Sequence, residues 1–92
     1  MAKLDGLEVV LNFLQGLQPK IAAQIAKKTL SLNVNPFPTD SKQLKGYPNY
    51  YRVDSGEYRI VYRYHLEEDL VEVLLVGKRN DDEVYKKLAR LA

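Results

Sequence analysis

Residues 51–62 read YRVDSGEYRIVY. Aromatic and β-branched residues alternate with charged ones on both sides of a Ser-Gly step, the pattern of two antiparallel strands joined by a tight turn. A two-residue loop of Ser55 and Gly56 would set Asp54 against Glu57, Val53 against Tyr58 and Arg52 against Arg59. Two arginines directly opposite each other on one face of a sheet repel. A sheet with such a pair needs local carboxylates to neutralise it or an anion to bind. Asp54 and Glu57 fall on the same face as the arginines, so both readings stay open.

Working outward, Tyr50–Asp54, Glu57–Leu66 and Leu70–Lys78 are strand candidates, rich in Tyr, Val and Ile, with Glu67, Glu68 and Asp69 turning the chain between the last two. Short connections make them an antiparallel meander. Upstream, Leu7, Val10, Leu11, Leu14 and Leu17 recur at helical spacing, predicting a helix over Asp5–Leu17 with Asp5 and Glu8 in a capping box. Gly16 weakens its last turn, and Pro19 opens a second helix running to about Leu32. The two form a helical hairpin, whose Val9 and Phe13 serve either the core or a partner surface. Asn33–Gln43 holds Asn35, Pro36, Pro38, Thr39 and Asp40 and reads as a loop. Asn80 is the expected N-cap of a last helix, with Asp81, Asp82 and Glu83 at its positive end and Val84, Leu88 and Leu91 as its apolar stripe. The fold class is α+β: an N-terminal helical hairpin on a small antiparallel sheet of three clear strands, with a weak N-terminal fourth from MAKLD and a short C-terminal helix. The helices are expected on one face of that sheet.

The 92 residues suit one domain. Cysteine is absent and His65 is the single histidine, which removes thiolate chemistry, disulfides and histidine metal clusters. No cofactor or metal is expected. The longest apolar run is interrupted by Glu72 and is too short for a membrane, and no signal peptide is evident, so a cytoplasmic protein is expected. Net charge is only +2, but residues 41–66 hold five basic residues against two acidic ones, a local excess suited to a polyanion.

Alternation along Glu57–Leu66 puts Tyr58, Ile60, Tyr62 and Tyr64 on a core face and Arg59, Val61 and Arg63 on the other, expected to be open or concave. Arg79 closes the GKR step of residues 77–79 just before the last helix, where a phosphate can be gathered. Tyr85 stands at the edge of that helix's buried stripe, able to stack on a base or bond a phosphate. His65 reads as an exposed structural histidine far from Arg59. No nucleophile motif, Gly-rich phosphate loop or metal-spaced carboxylate pair is present.

The order of these elements resembles the RelE branch of the RelE/ParE toxins of bacterial and archaeal toxin–antitoxin pairs. The segments that carry it are FLQGLQPKIAAQI (13–25), NPFPTDSKQLKGYPNYYRV (35–53), SGEYRIVYRY (55–64) and VGKRNDDEVYKKL (76–88). The resemblance implies a ribosome-dependent endoribonuclease that cuts A-site messenger RNA without a metal, by attack of a ribose 2′-hydroxyl on the adjacent phosphate. It further implies a cognate antitoxin and a toxin–antitoxin hetero-oligomer. By position, Arg59 and Arg79 would hold the scissile phosphate, Arg52 would supply a further cation, and Tyr85 would stack on a base or take the 2′-hydroxyl proton. Lys45, Arg63 and Lys78 would contact RNA. The chain departs from the family at Asp54, where a second basic residue is expected as proton donor. The same resemblance admits a ParE-like inhibitor of DNA gyrase, or a non-catalytic relic acting in a repressor complex.

Overall fold

The computed structural model describes residues 2–79 and 83–91. Chain order is β1 (Lys3–Asp5), α1 (Leu7–Leu14), α2 (Pro19–Val34), β2 (Lys42–Gln43), β3 (Tyr50–Ser55), β4 (Tyr58–His65), β5 (Leu70–Lys78) and α3 (Glu83–Leu91). The strands form one sheet in the order β1-β5-β4-β3-β2. The meander β3-β4-β5 is antiparallel as expected, but β1 does form, and it pairs parallel to β5 with Leu4 beside Val71. The sheet is therefore mixed, and the loop before β3 adds the short β2 at its far edge.

The hairpin turn differs from the expected one by a single residue. The loop is Gly56-Glu57, so Ser55 faces Tyr58, Asp54 faces Arg59, Val53 faces Ile60 and Arg52 faces Val61. Gly56 has φ +59°, and Glu57 is not among the residues of positive φ. That combination suits a turn with glycine in its first central position, whereas a Ser55-Gly56 loop would have put serine there. Moving the turn by one residue moves the pairing by two. Each side chain keeps its face, but the Arg52–Arg59 opposition is replaced by an Arg59–Asp54 pair.

α1 begins two residues later than its pattern predicts, and the Asp5–Glu8 capping box is not made. Gly6 precedes the helix with φ +83°, and a Cβ there would lie 2.2 Å from the Val73 carbonyl oxygen. This close passage of backbone over β5 requires glycine. Asp5 instead accepts a hydrogen bond from the Gly6 N–H through Oδ1 at 2.8 Å. β1 is tied down by the Ala2 N–H donating to the Asn33 carbonyl at 2.8 Å, and the Asn33 side-chain amide returns a bond to the Ala2 carbonyl.

The two faces of the sheet carry separate cores. On one face Val53, Ile60, Tyr62, Val71, Val73 and Val76 pack beneath α1 and α2, chiefly against Val10, Ile25 and Leu32. Tyr62 is fully buried, stacks on Tyr51 at 5.8 Å between ring centroids, and donates to the Pro36 carbonyl at 2.6 Å. Phe37, from the loop after α2, meets Tyr51 and Tyr64 edge-on at 5.0 Å each. Phe13 packs against this core and meets Tyr58 at 5.6 Å, which settles its role. On the other face Val61, Leu75 and Leu44 pack against Val84 and Leu88 of α3. The three helices are thus divided between both faces, not gathered on one. The apolar side chains of Val61 and Leu75, lying among the arginines, would otherwise face water, and α3 covers them. The expected cap at Asn80 and the acidic pair Asp81 and Asp82 lie outside the described residues.

Candidate functional site

The turn end of β3 and β4 gathers charge on the α3 face. Asp54 stands across from Arg59, and its Oδ1 accepts a hydrogen bond from Arg59 Nε at 2.9 Å. Arg79, just beyond β5, brings Nη1 to 3.7 Å from Asp54 Oδ2. Its backbone N–H donates to the Glu57 carbonyl at 3.0 Å, and Nη1 donates to the Gly56 carbonyl at 3.3 Å. The turn backbone therefore fixes where the Arg79 side chain starts and where it ends. Two guanidinium groups from distant parts of the chain meet at one carboxylate. The Arg59 side chain is 13% exposed, the Asp54 side chain 31% and the Arg79 side chain 46%. Arg59 is thus the covered floor of the cluster, Asp54 its partly open middle and Arg79 its rim. Gly77 faces Arg59 from β5 and adds no side chain beside it.

Of the two explanations for a pair of hairpin arginines, neutralisation by a carboxylate is the one realised in this state, by Asp54 and not Glu57. Arg52 lies two residues before Asp54 on the same strand, hence on the same face, half-buried and opposite Val61. Arg63 lies farther along β4, with its guanidinium carbon 5.6 Å from the Tyr50 ring centroid and a buried Nε that lacks a hydrogen-bond partner. Tyr85 packs against the Leu44–Val61–Leu75–Val84–Leu88 core and stays half-buried. Arg59 and Arg79 are therefore joined through the Asp54 carboxylate, while Arg52 and Tyr85 share their face. Among the described residues no hydrogen bond, ion pair or ring contact links Tyr85 to the arginines. Lys45 is exposed beside Leu44, Gly46 and Tyr47 around an open hollow, and Lys78 is exposed at the end of β5.

His65 is half-buried, not exposed: Nε2 lies 2.8 Å from Glu72 Oε1 and Nδ1 3.9 Å from Glu68 Oε2. Six residues of extended chain separate it from Arg59, about 20 Å. The sequence places Asp54 on the arginine face as one of two carboxylates able to neutralise the pair, but not directly opposite Arg59, a pairing that the Gly56-Glu57 turn creates. The preference for glycine in the first position of a two-residue turn is the signal that would have found it. Among the described residues no group of three His, Asp or Glu side chains could hold a metal ion, and no helix is long and apolar enough to cross a membrane.

Residues 5–83 match the family model of the ParE toxin of type II toxin–antitoxin systems, parDE. The chain is 32% identical over 89 residues to the mRNA interferase toxin RelE of Escherichia coli (strain K12), covering 95% of this chain and 93% of that protein. A double arginine-to-alanine mutant of the E. coli toxin RelE in the free state superposes with a TM-score of 0.74 at 31% identity, with 100% of both chains covered. The archaeal RelE–RelB complex from Pyrococcus horikoshii OT3 shares the fold, with a TM-score of 0.73 at 21% identity over 87% of this chain and 97% of that one. The chain belongs to the RelE/ParE superfamily of toxins of type II toxin–antitoxin systems.

Proposed function

We propose that this chain is a ribosome-dependent endoribonuclease that cleaves messenger RNA in the A site, and that a cognate antitoxin holds it in check. The observation that carries the reading is the convergence of Arg59 and Arg79 on a single oxyanion, the Asp54 carboxylate. Groups arranged to hold one anion are suited to hold the equatorial oxygens of a pentacoordinate phosphorane. Arg52 supplies further positive charge on the same face, and Tyr85 on α3 offers a ring or hydroxyl to a nucleotide. Lys45, Arg63 and Lys78 extend the basic surface along which RNA would lie. The reaction joins O2′ to phosphorus and expels the 5′-oxygen, leaving a 2′,3′-cyclic phosphate and a 5′-hydroxyl. The ribosome positions the message, so the toxin itself needs few groups.

The relative named above is an mRNA interferase, which supports the nuclease reading. Relatives of E. coli and P. horikoshii form RelE–RelB complexes, which supports an antitoxin partner. α1 and α2 leave Leu7, Leu11 and Leu30 exposed around an apolar cleft, a surface of the kind a protein partner covers. The test is inducible expression with mapping of message 5′ ends. Wild type is expected to create new ends within codons, and Arg79→Ala to lower cleavage by about 10²–10³-fold. Equal growth arrest by both proteins with unchanged message ends would overturn the reading. The match to the ParE model favours a second reading, inhibition of DNA gyrase. A supercoiling assay with purified gyrase distinguishes it, because the nuclease reading expects no effect there.

A further inference from the structure

Resting on the endoribonuclease reading, we propose that Asp54 is the general base of this site, taking the proton from the attacking 2′-hydroxyl. A reaction begun by a hydroxyl needs a proton acceptor, and guanidinium groups offer none. His65 is engaged by Glu72 at the far end of β4. Tyr85 packs on the α3 core, where it keeps its part as a ring for a base, and at the corner where Arg59 and Arg79 meet the side-chain acceptor is the Asp54 carboxylate.

Its setting suits the task. Asp54 is more open to solvent than Arg59, so a group arriving from outside meets the carboxylate before it reaches the guanidinium behind it. A carboxylate has about four acceptor positions. Arg59 Nε fills one at 2.9 Å and Arg79 stands off at 3.7 Å, which leaves a place for a hydroxyl. A lone carboxylate would repel a phosphodiester. Here Arg59 faces it from β4, Arg79 from beyond β5 and Arg52 from its own strand, so the corner remains positive. Asp40 is engaged elsewhere, its carboxylate paired with Lys28 Nζ at 2.8 Å.

The step balances. As the O2′–P bond forms, the 2′ proton passes to the Asp54 carboxylate and the negative charge passes to the phosphorane oxygens. Arg59 and Arg79 then face an anion that has moved from Asp54 to phosphorus, with little change in the charge near them. When the P–O5′ bond breaks, the leaving 5′-oxygen takes a proton from water. Asp54 returns its own proton to solvent before the next turnover.

The experiment is single-turnover cleavage of message on programmed ribosomes, measured across pH. It compares wild type, Asp54→Asn, Asp54→Glu and the turn control Glu57→Gln. Wild type is expected to show an acid limb on which the rate climbs with pH. Asp54→Asn should cut at least about 100-fold more slowly and lack that limb. Its ribosome affinity should be retained, and its urea midpoint should fall by no more than that of Arg59→Ala, which breaks the same ion pair. Asp54→Glu should keep the limb at a reduced rate, and Glu57→Gln should match wild type. Cleavage by Asp54→Asn at or above the wild-type rate would overturn the proposal and make the carboxylate a brake. If wild type cuts no ribosome-bound message, the endoribonuclease reading itself falls, and the base with it.

Discussion

The two faces of this sheet use the same strands for opposite ends. Beneath α1 and α2 the face is aromatic and aliphatic, with Tyr62, Ile60 and Val53 excluded from water. Beneath α3 a smaller apolar core around Val61 and Leu75 is bordered by Arg52, Asp54, Arg59 and Arg63. Strand alternation permits this, because neighbouring residues of β4 belong to different environments. The larger core holds the strands in register, and the register places Arg59 against Asp54. The charged face is therefore free to carry groups that add little to stability.

The most severe way to break the larger core is Tyr62→Ala. It removes a buried ring, its stacking on Tyr51 and its bond to Pro36. A loss of about 3–5 kcal/mol in urea unfolding is expected. On the charged face, Arg59→Ala should reduce message cleavage by about 10²-fold or more while costing only about 1–2 kcal/mol of stability, because the pair it breaks is partly solvated. Similar stability losses for the two variants would abolish the distinction between the faces. The connections sharpen it. Gly6→Ala drives a Cβ into the Val73 carbonyl, whereas Gly56→Ala meets nothing within 4 Å. Thermal melts should show a loss of about 1–3 kcal/mol at Gly6 and about 1 kcal/mol at Gly56, the latter from positive φ alone.

The mildest test uses pH. Burial pushes the Tyr62 hydroxyl from 10.0 up to about 12. Above pH 10 the unfolded chain loses this proton first, so the stability it contributes is whole below pH 10 and falls as pH climbs toward 12. Tyr62→Phe should lessen this alkaline loss and cost about 1 kcal/mol at neutral pH for the lost hydrogen bond. Tyr64, raised by its hydrogen bond to Asp69, supplies part of what remains.

Local chemistry was enough to read the helical hairpin, the three-stranded meander and the face shared by Arg52, Asp54, Arg59 and Arg63. Helical spacing, the Pro19 start and strand alternation are properties of neighbouring residues, and they survive into the fold. The family resemblance rested on the same segments. Three features were decided only in three dimensions. β1 has no pattern of its own, and it is a strand because β5 offers an edge and Asn33 ties down Ala2. α3 shows an apolar stripe but not which face it seeks, and only the assembled sheet reveals Val61 and Leu75 needing cover. The hairpin register turned on whether serine or glycine opens a two-residue loop, a backbone preference that a hydrophobic pattern does not encode. Shifting that turn by one residue replaced an arginine pair with an ion pair, because antiparallel pairing moves by two residues for each residue of the turn.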